Sequence, residues 1–254
     1  MCGIIGLVNF SQEDWRQSHA LLRALFLASE SRGRDATGYV AQLHRMDEPF
    51  VGRTIVAKAP ITASRFVEDN SVFRRLRHQR CSVFVGHVRA ATHGAADTGD
   101  NRNNHSFVGE DGLYLVHNGV VLNHREVADA HALHLESECD SEVLLRLIET
   151  EEHRALGLDL CLREVQGSMA IAVFDSAAGL VWLARNKGRP LWLARLERDR
   201  RWFFASTGTV ILEAFRKVLG KAESRFDYFA PIPEDTPLAI APHGVVLAPL
   251  SGPS

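Results

Sequence analysis

Short apolar segments, each about the length of one strand, recur along most of the chain and constrain its fold more than any other feature. They are rich in Val, Ile, Phe and Trp and are separated by Gly, Asp and Asn, which is typical of strands joined by turns. The predicted strands are "CGIIGLVNF", "GYVAQLH", "VGRTIVAKA", "CSVFVGHVRA", "LYLVHNG", "GSMAIAVFDS", "LVWLARN", "LWLARL" and "RWFFAS", with a final hairpin in "TPLAIAPHGVVLAPL". Most of the core must therefore be built from sheets.

Helical periodicity appears in two groups among these strands, with one further helix near the end. The predicted helices are "SQEDWRQSHALLRALFLASE", "SRFVEDNSVFRRLRH", "NHREVADAHAL", "DSEVLLRLIETEE" and "TVILEAFRKVL". The first, third and fourth begin with a residue type that favours the N-cap position. Helices grouped in this way around many antiparallel strands predict an α+β fold, with stacked sheets covered by helices on their outer faces.

One polar segment, "THGAADTGDNRNNHSFVGEDG", separates two of the predicted strands. At roughly 20 residues it is longer than most connections between neighbouring elements, and long connections often bind ligands. The polar turn around "RMDEP" and the charged segment "ERDRR" are shorter and are predicted to join strand pairs. We therefore expect the long segment to contribute to a binding site.

The composition limits the classes of protein that the chain can represent. Its 254 residues, 46% hydrophobic and 24% charged, predict a globular protein with a single domain over 1–254. A net charge of −2 gives no general attraction to nucleic acid or to an anionic membrane. The basic stretches "RRLRHQR" and "RLERDRR" are interpreted as solvated faces. Since no signal peptide and no apolar run of about 20 residues is found, we expect a cytoplasmic protein.

The cysteines and histidines do not show the spacing of a metal site or a disulfide framework. The four cysteines are Cys2, Cys81, Cys139 and Cys161, and they form no CxxC pair. We interpret them as reduced thiols. Two histidine pairs are close in sequence, His131 with His134 and His87 with His93, but no HExxH motif completes either of them. The sequence therefore predicts no metal and no cofactor.

Cys2 has an unusual position, because removal of Met1 would make it the first residue of the chain. It would then carry a free α-amine beside its thiol. An α-amine titrates near ~7.7–8.0 and is partly unprotonated at neutral pH, so it can serve as a general base. A nucleophile and its base would share one residue.

Other polar residues interrupt apolar segments, and each has an ordinary structural interpretation when taken alone. A free cysteine such as Cys2 is most often a small buried hydrophobe. Asp140 opens a predicted helix and is interpreted locally as its N-cap. Asn118 and Gly119 follow a strand and are interpreted as turn residues. Arg89 lies between apolar neighbours, where a buried guanidinium requires an anionic partner.

The order of these motifs is more specific than any one of them. "MCGIIG", "SRGRDATG", "GHVRAATHG", "HNG" and "CDSE" together resemble the class II glutamine amidotransferases, N-terminal-nucleophile (Ntn) hydrolases that use a cysteine. The chain is most similar to the glutaminase domain of glucosamine-6-phosphate synthase, and the amidophosphoribosyltransferase glutaminase is next. The resemblance implies a four-layer αββα sandwich, with 1–254 forming one amidotransferase type-2 domain and no synthase domain.

The resemblance also implies a role for each motif residue. Cys2 would attack the side-chain amide carbon of glutamine, and the Asn118 side-chain NH₂ and Gly119 backbone N–H would stabilise the oxyanion. Arg89 would bind the α-carboxylate of glutamine and Asp140 its α-ammonium group.

Three further residues follow from the same resemblance. Thr92 and His93 would line the loop wall of the site, and Arg32 would support the nucleophile. Where glucosamine-6-phosphate synthases have an aromatic residue that gates ammonia transfer, this chain has Ala90, and the route of ammonia stays open.

The implied reaction converts glutamine to glutamate and ammonia without a cofactor. Because no acceptor domain is recognised, we expect a separate synthase subunit to receive the ammonia, and a homo-oligomer is a further alternative. Trp192 and Trp202 are interpreted as exposed apolar residues of such an interface. Two other functions share the motifs: a γ-glutamyl amide hydrolase acting on another small substrate, and a catalytically silent glutamine-sensing module.

Overall fold

The apolar segments form two antiparallel sheets in a computed structural model that describes residues 1–10, 15–44, 52–91, 98–196, 200–220, 226–241 and 244–247. In chain order, the strands are β1 (Gly3–Asn9), β2 (Ala36–Leu43), β3 (Thr54–Ala59), β4 (Cys81–Arg89), β5 (Phe107–Val108), β6 (Leu113–Val121), β7 (Gly167–Asp175), β8 (Leu180–Arg185), β9 (Trp192–Leu196), β10 (Arg201–Ala205), β11 (Phe226–Pro231), β12 (Leu238–Ala241) and β13 (Gly244–Leu247). The α-helices are α1 (Trp15–Ser29), α2 (Ala63–Asp69), α3 (Ser71–Leu76), α4 (His124–Ala130), α5 (Glu142–Glu149), α6 (Arg154–Glu164) and α7 (Gly208–Leu219).

The two sheets draw their strands from different parts of the chain. In the first sheet the order is β11-β9-β10-β1-β4-β2-β3, and in the second it is β13-β12-β8-β7-β6-β5. The amino-terminal strand β1 lies at the centre of the first sheet, between β10 and β4, and pairs antiparallel with both. Hydrogen bonds on both sides hold the start of the chain, and Cys2 immediately precedes this strand.

The molecule has three apolar cores, which separate four layers. One core lies between α1, α2, α3 and α7 and the outer face of the first sheet, and it is rich in aromatic rings such as Phe26, Phe73 and Phe84. A second, mainly aliphatic core lies between α4, α5 and α6 and the outer face of the second sheet. The third lies between the two sheets. This is the αββα sandwich that the motifs predict, and the α+β fold is confirmed.

The inner-facing residues of four strands change from apolar to polar toward the same end of the sandwich. The rows are Val8, Ile4 and Cys2 on and before β1; Val83, Val85, His87 and Arg89 on β4; Tyr114, Val116 and Asn118 on β6; and Trp202, Phe204 and Ser206 on and after β10. The register aligns these polar ends, because Gly3 pairs with Val88 and the Ser206 N–H donates to Ile4 O at 2.9 Å. One end of the space between the sheets is therefore polar.

One predicted helix is broken in two. The segment "SRFVEDNSVFRRLRH" forms α2 and α3, separated at Asn70, whose backbone is extended (φ −71°, ψ 107°). The Asn70 side-chain oxygen accepts a hydrogen bond from Phe73 N at 2.9 Å and caps the second helix. Because of this break, Phe66 and Phe73 both pack in the same core. Apolar periodicity continued across the cap, so the sequence pattern concealed the break.

Neither residue predicted to cap α4 or α5 makes a side-chain capping hydrogen bond, and the predicted cap position is correct only for α4. Asn123 occupies the N-cap position of α4, but its side chain bonds Glu164 O at 2.9 Å and accepts from Gln166 N at 2.9 Å. Asp140 lies one residue before Ser141, the N-cap of α5, and its carboxylate binds a strand instead. The cap predicted at Ser11 lies outside the described residues. Long-range partners thus compete successfully with local capping.

Helix α6 and strand β11 were not predicted from the sequence. Helix α6 buries only a narrow face, formed by Gly157, Leu158 and Cys161, so its apolar period is weak. Strand β11 adds to the edge of the first sheet beside β9, with a register shift between Phe226 and Tyr228. Neither segment carries the regular apolar alternation of the strands that were predicted.

The long polar segment contains more structure than a loop. Its described part includes a short 3₁₀ turn at Asn101–Asn103 and the two-residue strand β5, which pairs with β6. Strand β6 also extends to Val121, so Asn118 and Gly119 lie within a strand and not in a turn after it. Residues 92–97, the turn at "RMDEP" and part of "ERDRR" lie outside the described residues. The final hairpin, β12 with β13, is confirmed.

The tryptophans expected at the surface are not exposed. Trp202 is 6% exposed and packs between the sheets, with the Arg195 guanidinium over its ring. Trp192 is half-buried, and its ring centroid lies 5.0 Å from that of Phe229. These two residues therefore give no support to a partner surface. In the described part of the chain, no helix has the length and hydropathy needed to cross a membrane.

Candidate active site

Cys2 lies at the polar end of the space between the sheets, where β1 begins. The Ala90 N–H donates to the Cys2 sulfur at 3.4 Å, and the thiol lies 3.6 Å from Ala90 O. Burial raises the pKa of the Cys2 thiol, while the Ala90 contact, the nearby amino terminus and Arg89 act in the opposite direction. Since burial is the largest effect, the thiol is protonated at neutral pH and needs a base before it can attack.

Arg32 is hydrogen-bonded to the backbone of Cys2. It ends a short 3₁₀ turn after α1, and its Nε donates to Cys2 O at 3.0 Å. The next residue, Gly33, lies so close to β4 that a Cβ there would be 2.5 Å from the backbone carbon of Arg89. The Arg32 side chain is thus hydrogen-bonded to the backbone of Cys2, and Gly33 allows this turn to pack against the neighbouring strand.

Arg89 ends β4 and is buried, with 3% of its surface exposed. Its Nη1 donates to Asn104 Oδ1 at 2.9 Å. The amide of Asn104 is itself oriented by two acceptors, Thr98 O at 2.7 Å and Asn101 Oδ1 at 3.0 Å. The described part of the long polar segment thus positions the guanidinium. Asn104 was missed by sequence reasoning, because a short polar residue in such a segment carries no distinctive signal.

Asn118 brings a side-chain donor from the second sheet to the polar end of the first. It is buried on β6, and its Nδ2 donates to Ser206 Oγ at 3.3 Å. Ser206 Oγ also accepts from Ile4 N at 2.8 Å, two residues after Cys2. These contacts connect the strand that follows Cys2 to the Asn118 side chain.

Gly119 follows on the same strand and has no room for a side chain. A Cβ there would lie 1.8 Å from Ser168 O on β7 and 2.4 Å from His117 Nε2. Packing therefore requires a glycine at this position, because the neighbouring strand already occupies the space of a side chain.

Asp140 is 6% exposed and is fixed at the end of β6. Its Oδ2 accepts from Val121 N at 2.7 Å. Its Oδ1 accepts from Ser141 Oγ at 3.4 Å, and the Ser141 hydroxyl also hydrogen-bonds His117 Nδ1 at 2.8 Å. The carboxylate is therefore held two residues from Gly119 along the strand, and it binds a strand N–H where a helix cap was expected.

Opposite charges act together on the Cys2 thiol. The positive charge of Arg89 lowers the pKa of this thiol and the negative charge of Asp140 raises it. The same two charges act on Cys139, whose pKa is raised to about 11 mainly by burial. One fixed cation and one fixed anion thus lie within electrostatic range of the nucleophile, an arrangement that suits a zwitterionic ligand.

Three buried histidines surround this polar end. The ring centroids of His87 and His105 are 4.0 Å apart, and His87 Nε2 hydrogen-bonds His117 O at 2.9 Å, which links the sheets. Burial lowers the pKa of His87 to about 3 and that of His117 to about 4, and it lowers that of His105 well below its usual value. All three are therefore neutral near pH 7, and His87 and His105 stay uncharged within electrostatic range of Arg89.

Two of the predicted site residues, Thr92 and His93, lie outside the described residues. The structure brings together the other six: Cys2, Arg32, Arg89, Asn118, Gly119 and Asp140. Ser206 was missed, although "RWFFAS" contained a signal, since Ser206 is in phase with the inner-facing Trp202 and Phe204. No three His, Cys, Asp or Glu side chains group as metal ligands among the described residues. The absence of a metal stays a prediction.

A large cavity lined by described residues lies away from these motifs. It has a volume of about 870 Å³, lies against α1, α2 and α3, and is rich in arginine, including Arg16, Arg23 and Arg74. Its described lining residues include no cysteine, so its size does not make it the better candidate for this chemistry. The predicted wall of the Cys2 site consists of Thr92 and His93, which lie outside the described residues.

Comparison with known sequences agrees with the motifs. Residues 91–213 match a family described as a glutamine amidotransferase domain. Glutamine–fructose-6-phosphate aminotransferase (isomerizing) of Rhizobium leguminosarum bv. viciae is 30% identical over 202 residues, which cover 75% of this chain and 29% of that protein. The Staphylococcus aureus (strain N315) protein of the same name is 30% identical over 201 residues, covering 76% and 30%. The chain thus spans about 30% of the length of these relatives.

Comparison with solved structures supports the fold. Glutamine phosphoribosylpyrophosphate amidotransferase from B. subtilis superposes with a TM-score of 0.71 at 19% identity, covering 97% of this chain and 49% of that one. A glutamine aminotransferase class-II domain protein from Silicibacter pomeroyi gives a TM-score of 0.51 at 12% identity, covering 97% and 98%. At these identities the match concerns the fold alone.

The sequence matches confirm the resemblance read from the motifs, which is to the class II glutamine amidotransferases. The solved structures agree with the αββα sandwich that this resemblance implies.

Proposed function

We propose that the chain hydrolyses the side-chain amide of glutamine to glutamate and ammonia, with Cys2 as the nucleophile. The observation that carries the proposal is the convergence of four functions at one end of the sheets. Cys2 supplies a thiol, Asn118 a buried N–H donor, and Arg89 and Asp140 fixed charges of opposite sign. The local interpretations, a core cysteine, a turn and a helix cap, do not explain why these groups lie together.

The first step requires a base, because burial keeps the Cys2 thiol protonated. In the proposed mechanism, Cys2 is the first residue of the active chain and its own α-amine takes the thiol proton, directly or through a water. The sulfur then forms a bond to the amide carbon of glutamine, and the carbonyl π electrons move to oxygen. The three buried histidines cannot replace the amine, since their lowered pKa values make them weak bases.

The negative charge that develops on oxygen is stabilised by the Asn118 NH₂ group and the Gly119 N–H. The protonated amine then gives its proton to the departing nitrogen, the C–N bond breaks, and ammonia leaves. A γ-glutamyl thioester of Cys2 remains, and water hydrolyses it to glutamate while restoring the thiol. Loss of one oxyanion donor typically reduces kcat by about 10²- to 10³-fold.

Substrate selection follows from charge. Glutamine has an α-carboxylate and an α-ammonium group at the end opposite to its amide. In the proposed complex, Arg89 binds the carboxylate and Asp140 the ammonium group, with Thr92 and His93 along the wall. Both charged side chains are already held by other groups, Arg89 by Asn104 and Asp140 by Val121 N, so little ordering accompanies binding.

We further propose that the ammonia is used by a synthase centre outside these 254 residues, on a separate subunit. The relatives that the chain resembles support this, because their names describe transfer of an amino group to a second substrate. A homo-oligomer remains the alternative assembly. Ala90 leaves open how ammonia would travel, and its N–H contacts the Cys2 sulfur directly.

The test is a glutaminase assay that measures glutamate and ammonia together. Wild type should release both in equal amounts, and Cys2→Ala should lose on the order of 10³-fold or more of kcat. Cys161→Ala is the matched control, since Cys161 is a buried cysteine on the opposite helical layer. Equal rates for Cys2→Ala and wild type would contradict the proposal.

Two companion measurements distinguish the two other functions. A γ-glutamyl amide hydrolase would prefer a γ-glutamyl anilide over glutamine by kcat/KM. A silent sensing module would bind glutamine in calorimetry but release no ammonia. Asparagine should be a poor substrate under the main proposal, because its shorter side chain cannot reach Cys2 while the charged pair holds its other end.

A further inference from the structure

We propose that Ser206 is a positioning residue for this reaction, which fixes the oxyanion donor Asn118 relative to the strand that carries Cys2. The inference rests on the proposed function. Ser206 follows the last residue of β10, is 1% exposed, and lies at the polar end of the space between the sheets.

The Ser206 hydroxyl oxygen accepts from both sheets. Ile4 N, in the first sheet, donates to it at 2.8 Å, and Asn118 Nδ2, in the second, donates to it at 3.3 Å. The Ser206 backbone N–H also donates to Ile4 O at 2.9 Å. Ser206 is thus bonded to the main chain two residues from the nucleophile and to the side chain that stabilises the oxyanion.

In the observed orientation, this contact holds the NH₂ end of the Asn118 amide on the Ser206 oxygen. An amide side chain has an NH₂ end and a carbonyl end of similar size, and a half-turn about its last bond exchanges them. The Ser206 oxygen accepts one N–H of the amide and leaves the second N–H for the substrate oxygen. If the amide were rotated by a half-turn, its carbonyl oxygen would face the developing negative charge, and the two would repel each other.

Serine is suited to this position by size as well as chemistry. In phase with it on the same strand, Trp202 and Phe204 fill the space between the sheets. A side chain of that size at 206 would push the two sheets apart and displace Asn118. An alanine would fit but would leave both the Asn118 and Ile4 donors without this acceptor.

A purely structural role would also make Ser206 important, since loss of the Ile4 N contact alone destabilises the fold. The two roles separate by kinetics. If Ser206 positions Asn118, Ser206→Ala lowers kcat by roughly 10- to 100-fold, less than loss of the donor itself, with KM for glutamine changed by less than about threefold. Ser206→Thr retains the hydroxyl and should recover most of kcat.

Ser82→Ala provides a matched control for the loss of a buried hydroxyl. Ser82 is fully buried on β4, where its hydroxyl bonds Gln42, and it lies at the other end of the strand from Arg89. This variant should lose stability in the same manner as Ser206→Ala and keep wild-type kcat. A fall in kcat of equal size in both variants would overturn the proposal.

A double-mutant cycle separates the effect of Ser206 on kcat from its effect on protein stability. Because Ser206 is proposed to act through Asn118, Ser206→Ala should lower kcat by less than about twofold in an Asn118→Ala background. An undiminished loss in that background would overturn the inference and leave the proposed function intact. Absence of glutaminase activity in wild type would instead remove the proposed function.

Discussion

The space between the two sheets has two ends that the same four strands build differently. At one end β1, β4, β6 and β10 contribute Val8, Val83, Tyr114 and Trp202, which pack in one apolar core. At the other end the same strands lead to Cys2, Arg89, Asn118 and Ser206. Pleat and register are shared, so backbone geometry does not distinguish the two ends.

The difference lies in how each end compensates for burial. Apolar side chains are stabilised in proportion to the surface removed from water. Buried polar groups lose hydration and must recover it by hydrogen bonds, as Arg89 does with Asn104 and Asn118 with Ser206. The apolar end therefore stabilises the fold, and the stable fold holds the reactive groups of the polar end in place. Substitutions at the two ends should separate stability from activity.

The largest expected effect on stability is at the apolar end. Phe174 is fully buried on β7 and its ring stacks on Tyr114, with centroids 5.9 Å apart. Phe174→Ala should lower the free energy of unfolding by about 3–5 kcal/mol, because it leaves a cavity between the sheets. Urea unfolding measures this loss. Where the variant stays folded, its KM for glutamine should equal that of wild type, and a large rise in KM would show that the two ends are not separable.

Acid should destabilise the polar end selectively. The pKa values of His87 and His117 are lowered to about 3 and about 4, and that of His105 is also lowered, so the unfolded chain binds more protons below pH ~6.5. Their contribution to stability is thus complete above pH ~6.5 and is lost as pH falls toward the folded pKa values. Each histidine should contribute a slope of up to about 1.4 kcal/mol per pH unit.

Urea titrations between pH 7 and pH 5 check this slope. His105→Phe should make it shallower by close to one proton, because the His105 ring packs between the rings of His87 and Phe107 and a phenyl group can replace it. His153, which is exposed, provides the control variant His153→Gln. An unchanged slope in His105→Phe would show that His105 does not cause the acid sensitivity.

A smaller change in free energy is expected for binding at Asp140. Asp140→Asn retains an oxygen that can accept from Val121 N but removes the negative charge proposed to bind the α-ammonium group. KM for glutamine should rise by roughly 30- to 150-fold, equivalent to about 2–3 kcal/mol for a charged hydrogen bond. The melting temperature should change little.

Asp129→Asn removes an exposed carboxylate from α4 and is the matched control, with no expected change in KM. A wild-type KM in Asp140→Asn would remove Asp140 from the substrate site.

Sequence reasoning predicted the strands well, because alternation and turn residues act locally. It also identified Cys2, Arg89, Asn118 and Asp140 as one group, from motif order. It could not predict that Asp140 binds Val121 N or that Asn123 binds the chain after α6, because those partners are distant in sequence. Sheet order was equally inaccessible, and only sheet order shows that Ser206 lies beside Ile4.

The central claim is that the thiol of Cys2, as first residue, attacks the amide carbon of glutamine. The most direct measurement uses a glutamine analogue with a diazoketone in place of the amide, followed by mass spectrometry of the intact chain and its peptides. An active preparation should carry one adduct, on a peptide that begins with Cys2 and lacks Met1, and excess glutamine should prevent labelling. Labelling at Cys81, Cys139 or Cys161, or full activity in a chain that retains Met1, would contradict the claim.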